Sequence, residues 1–184
     1  MSVMIAMLRG VNVGANNRIK MENLRALFAA MKLRDAQTYV QSGNVVFRTD
    51  ERDSTKLAKK IEAAFERKFG FHSDVICRTT AEMKAVVAKN PFAKRRDIHP
   101  AKLLVTFLSA DPGEAARAEI RKVKVDPEEL WIEGSECFVY FPDGMGRSKF
   151  SWPKIGQTLK VSGTGRNWNS VTKMLEMAEK MDTQ

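Results

Sequence analysis

Apolar residues along this chain alternate between strand-like and helix-like spacing. Val3 to Leu8 is a continuous apolar run of strand length that stops at Arg9. Leu24, Leu27, Phe28 and Met31 fall at i, i+3, i+4 and i+7, which predicts an amphipathic helix over residues 21–31. Ala36 to Gln41 and Asn44 to Arg48 are short strand-like runs around Ser42-Gly43, and a two-residue loop with glycine predicts a tight hairpin. Leu57, Ile61, Ala64, Phe65 and Phe69 mark a second helix, with Ser54 as its expected cap and Gly70 as its stop. Phe71, Ser73, Val75 and Cys77 then alternate as one face of a strand. Strand, helix, strand, strand, helix, strand is the split βαβ, or ferredoxin-like, order.

The second half repeats the plan loosely. A bridging helix near residues 80–90 ends at Asn90-Pro91. Lys102 to Leu108 reads as a strand, and Asp111-Pro112-Gly113-Glu114 as a helix start with its cap at Asp111. Leu130 to Glu133 and Glu136 to Phe141 form a second hairpin around Gly134-Ser135. A helix near residues 151–160 precedes a last one that begins around Asn167 to Asn169 and carries Trp168, Val171, Leu175 and Ala178 on one face. No clear closing strand separates these two helices; Val161 to Thr164 is the one stretch available for it. The predicted fold is α+β, with two ferredoxin-like units of antiparallel sheet and helices on one face. The units are expected at residues 1–79 and 80–184, the second including the bridging and C-terminal helices.

This topology has a consequence for polar residues. The first two strands of a split βαβ unit run parallel, so the loop after the first strand and the following hairpin lie at one end of the sheet. Arg9, Asn12, Asn16 and Asn17 are thereby expected beside Gln41, Ser42 and Asn44. Gly10 and Gly14 let backbone come close to a ligand, and the amides donate and accept in fixed directions. Asparagine and glycine are also ordinary turn formers, and Asn side chains often bond their own backbone. Arg166, Asn167 and Asn169 are further candidates, because a helix N-terminus with an adjoining arginine can receive an anion. The plainer reading is a capping Asn167 or Asn169 with Trp168 as a core anchor.

Charge adds a class of partner. The chain has 184 residues and a formal net charge of +9, which favours nucleic acid or a small anionic ligand. Lys94-Arg95-Arg96 adds to such a footprint. The aromatic platform of an RNA-recognition domain is missing: Val3 to Leu8 has no aromatic, and the third strand has only Phe47. Gly144-Met145-Gly146-Arg147-Ser148-Lys149 lacks the spacing of a nucleotide triphosphate loop. No Ser-His-Asp or Cys-His motif is visible, and His72 and His99 stand far apart, so neither a catalytic residue, a metal site nor a cofactor is assigned. The two cysteines, the lack of a signal-peptide pattern and the lack of a membrane-length apolar run point to a cytoplasmic protein without a membrane partner.

Three stretches together resemble one bacterial family, domain of unknown function 1697. They are Leu8-Arg9-Gly10-Val11-Asn12-Val13-Gly14, Tyr39-Val40-Gln41-Ser42-Gly43-Asn44-Val45-Val46-Phe47 and Arg166-Asn167-Trp168-Asn169-Ser170-Val171-Thr172-Lys173. Asn90-Pro91-Phe92, Thr106-Phe107-Leu108 and Arg147-Ser148-Lys149 also fit. Ala15 and Gly165 depart from the usual glycine and alanine. The resemblance implies an α+β fold with ferredoxin-like units and no particular activity. The leading expectation is a non-catalytic module binding a polar or anionic ligand, including nucleic acid, at the Arg9–Asn17 and Gln41–Asn44 rim. The alternatives are a small hydrolase or transferase acting on a phosphorylated or acyl substrate at the same rim, with Arg9 holding the substrate and Asn44 orienting water, and a protein-interaction scaffold.

Overall fold

A computed structural model describes residues 1–184 and divides them into two units, residues 1–85 with 172–184, and residues 86–171. The first unit contains β1 (Ser2–Leu8), α1 (Met21–Ala30), β2 (Arg34–Tyr39), β3 (Asn44–Thr49), α2 (Ser54–Phe69) and β4 (Val75–Thr79). Helix α3 (Thr80–Ala88) leads into the second unit, which contains β5 (Leu103–Leu108), α4 (Glu114–Arg121), β6 (Glu129–Glu133), β7 (Glu136–Tyr140), α5 (Trp152–Leu159) and β8 (Gly163–Asn167). Helix α6 (Trp168–Asp182) returns the chain to the first unit. No helix is long and apolar enough to cross a membrane.

The first sheet has the order β2-β3-β1-β4 and the second β6-β7-β5-β8, with every neighbouring pair antiparallel. Both are ferredoxin-like: the first strand lies between the third and fourth, and the second sits at an edge. The apolar run of β1 is explained by this central place, since it is buried from Val3 to Leu8. Met4, Ala6, Leu8 and Phe47 meet Leu24, Phe28, Ile61 and Phe65 in one core, where Phe28 stands edge-on to Phe47 at 5.1 Å. Leu108, Ile120, Ile132, Ile155 and Leu159 form the corresponding core of the second unit.

Several element ends differ from the sequence pattern. The β2–β3 connection is a four-residue loop, 40–43, because β2 stops at Tyr39. Asp53, not Ser54, caps α2, its carboxylate accepting the Lys56 N–H at 2.9 Å. Gly70 ends α2 in the left-handed conformation, φ 78°, as its place predicts. Strand β4 begins only at Val75: Phe71 packs edge-on to Phe65 at 5.1 Å, and the Ser73 hydroxyl donates to the Arg9 carbonyl at 2.8 Å. Helix α4 begins at Glu114, because the Asp111 carboxylate accepts the Gly113 N–H at 2.8 Å and forms a turn instead of a cap.

The largest difference is β8. Gly163-Thr164-Gly165-Arg166-Asn167 has no apolar alternation, yet it pairs with β5 from Leu108↔Gly163 to Leu104↔Asn167. Its glycines make the pairing possible. A Cβ at Gly163 would lie 3.0 Å from Thr106 Cγ2, and one at Gly165 would lie 3.2 Å from the Leu104 methyl groups.

Candidate functional site

In the first unit, the end of β1 is held on both sides. Leu8 N–H donates to the Gly43 carbonyl and Arg9 N–H to the Asp74 carbonyl, each at 2.9 Å. Gly43 adopts φ 76°, and an added Cβ would lie 2.9 Å from Leu8 Cβ. The chain between β1 and α1 then folds around Asn12. Its amide donates to the Ile19 carbonyl at 3.1 Å and to the Gln41 carbonyl at 2.8 Å. Its Oδ1 accepts the Ile19 N–H at 2.7 Å. Asn12 itself sits at φ 56°, where asparagine is tolerated better than most residues. One side chain thus closes the loop on itself and ties it to the hairpin.

Between the two lies a groove of about 660 Å³, lined by Asn12, Arg18, Ile19, Lys20, Val40, Gln41 and Ser42. Two cations and no carboxylate line it. Val40 is half-exposed at φ 50°, an uncommon conformation for a β-branched residue.

The expected rim residues take different places around this groove. Asn12, Gln41 and Ser42 line it. Asn16 and Asn17 are exposed on the same loop. Asn44 is fully buried and donates to the Tyr39 carbonyl at 3.2 Å and to Ser42 Oγ at 2.9 Å, so its amide locks the hairpin. Arg9 turns to Asp74, 3.5 Å away. Asp74 also meets His72 Nε2 at 3.1 Å, and His72 Nδ1 meets Glu66 at 3.4 Å. The hydrogen bond to Asp74, then that to Glu66, raises the His72 pKa above its ordinary value.

Arg166, Asn167 and Asn169 fall in the second unit. Arg166 is a β8 residue, buried, donating to Thr164 Oγ1 at 2.7 Å and the Gly165 carbonyl at 2.8 Å. Burial pushes its pKa down to about 10. The Asn167 side chain accepts the Ser170 N–H at 2.9 Å and caps α6. Asn169 is exposed in the first turn. In the basic cluster, Arg95 pairs with Asp97 and Glu129 and lies over the Phe92 ring at 5.6 Å.

Sequence reasoning did not select Arg18, Lys20 or Val40. The available signal was position: Arg18 and Lys20 close the loop just before α1, and Val40 opens the hairpin facing it.

The chain belongs to the family described as Protein of unknown function (DUF1697), which matches residues 1–138. That match includes the Leu8–Gly14 and Tyr39–Phe47 motifs and ends before Arg166–Lys173. No curated protein matches the chain. Among solved structures, the conserved bacterial protein SP0830 from Streptococcus pneumoniae is similar, with a TM-score of 0.71 and 23% identity over 97% of this chain and 99% of that one. At this identity the likeness shows the fold.

Proposed function

For a chain whose family supplies a fold and no reaction, we propose a non-catalytic binding module whose ligand is anionic and sits in the groove between residues 9–20 and the 40–43 hairpin. One observation carries the reading: the groove presents Arg18 and Lys20 with no carboxylate in its wall. Arg18 makes no ion pair, so its charge is available to a ligand, and Lys20 has only Glu22 at 3.9 Å, an exposed and weak contact. Gln41 and Ser42 add polar groups beside these charges. The Asn12 bonds preorganise the loop, which lowers the ordering cost of binding. The net charge of +9 supports nucleic acid as the ligand class, through phosphate contacts and shape rather than base stacking.

The test is fluorescence anisotropy with a generic single-stranded RNA, a DNA duplex and free nucleotides at low salt. The wild type is expected to bind with a salt-dependent affinity. Arg18→Ala with Lys20→Ala is expected to lower the steepness of that dependence by about one to two in log–log slope. Absence of binding to every probe would reject the anionic-ligand reading, and unchanged binding by the double variant would reject this groove.

A further inference from the structure

A second cavity lies within the second unit, at the end of its sheet away from the β6–β7 hairpin. It is bounded by the α4–β6 connection and the start of α5, and holds about 260 Å³. Five charged side chains line it: Lys124, Lys149 and Lys154, with Asp126 and Glu128. No ion pair joins any two of them. Lys124, Lys149, Lys154 and Asp126 are exposed, so water screens them from one another and leaves their charges available to a ligand.

Glu128 sharpens the point. It is only 8% exposed, and one carboxylate oxygen accepts the Ser148 hydroxyl. No lysine or arginine forms an ion pair with it, although three lysines line the same cavity. With one hydroxyl as its donor, the carboxylate keeps acceptor capacity for a group in the cavity. A bare anion among the lysines would face two carboxylates, and a bare cation on Glu128 would face three ammonium groups. A molecule with both charges satisfies both sides at once.

We propose that this cavity binds a small zwitterion of the amino-acid class. Its ammonium group donates to Glu128, its carboxylate lies among Lys149, Lys154 and Lys124, and its side chain rests against Phe150. The site is separate from the groove of the first unit.

The experiment is an amide-resonance NMR titration of the full chain with each of the twenty L-amino acids, and with ethylamine, acetate and inorganic phosphate as half-ligands. At least one amino acid is expected to shift residues 123–128 and 149–155 saturably, with the half-ligands at least about tenfold weaker. Glu128→Gln is expected to weaken it by about tenfold or more. Lys149→Met with Lys154→Met, at exposed positions, is expected to do the same while the rest of the spectrum stays put, and this serves if the Glu128 variant fails to fold. Failure of every amino acid to saturate overturns the proposal. So does phosphate binding as tightly as any amino acid, or full affinity in the double lysine variant.

Discussion

The backbone N–H of Leu8 donates to the carbonyl of Gly43 at 2.9 Å, and in the second unit Leu108 donates in the same way to Ser135 at 2.8 Å. The next residue repeats the likeness: Arg9 donates to Asp74 and Ser109 to Ser162, both at 2.9 Å. The first strand of each unit therefore ends on the same two bonds. The connections leaving these strands differ. Residues 9–20 intervene before α1, but only residues 109–113 before α4, where Arg117 closes the end by donating to the Gly134 carbonyl at 3.2 Å. A common frame carries a long connection in one unit and a short one in the other, and long connections on rigid frames are where binding groups collect.

Gly43 is the tightest point of that frame. Gly43→Ala is expected to cost more than the about 1–2 kcal/mol of a left-handed alanine alone, because its Cβ also meets Leu8. Gly10→Ala, at φ 71° with nothing near its Cβ, should cost only the conformational part. Urea unfolding of the two variants measures the difference.

Asn12 should matter more to the loop than to the fold. Asn12→Ala removes three hydrogen bonds, each of net worth about 1 kcal/mol, and leaves an alanine at φ 56°. Faster hydrogen exchange at Ile19, whose N–H loses its acceptor, is the expected readout. β1 amides should keep their protection.

His72 gives stability a pH dependence. Its folded pKa is raised above the ordinary 6.5 by Asp74 first and then Glu66, with Arg9 also on Asp74. Its stabilising contribution is therefore complete below 6.5 and lost as pH rises through the folded value. The urea midpoint should fall modestly between about pH 6 and pH 8, and His72→Gln should remove that part of the slope. All of these groups are substantially solvated, so the effect is small and salt-sensitive.

Cys77 and Cys137 are buried, and burial pushes both thiols up to about 12. A thiol-specific disulfide reagent at mildly alkaline pH should label neither cysteine in the native protein and both in denaturant.

Periodicity was enough for the helices and for most strands. The i, i+3, i+4 spacing of Leu24, Leu27 and Phe28 reflects the buried stripe of α1, and the run Val3 to Leu8 reflects a central strand. It failed where pairing, not composition, makes the element: β8 is a strand because β5 presents open backbone groups to it and two glycines let it approach. Position in the topology also foretold that the first loop and the hairpin would meet. The roles within that meeting were not legible. Asn12, Gln41 and Asn44 look alike as polar loop residues, and only three-dimensional reach shows that Asn12 and Asn44 spend their amides on backbone and hydroxyl partners.

By itself, then, the sequence determined the α+β class, the order of elements apart from β8, and the end of the sheet at which loop and hairpin converge. These stem from local spacing and from the geometry of split βαβ connections. Only the tertiary structure decided which side chains face the groove. It turned Arg9 to Asp74, sank Asn44 and Arg166, and left Arg18 and Lys20 on the wall. The physical reason is that a polar side chain goes to whichever partner lies within hydrogen-bond reach, and reach is set by residues distant in sequence.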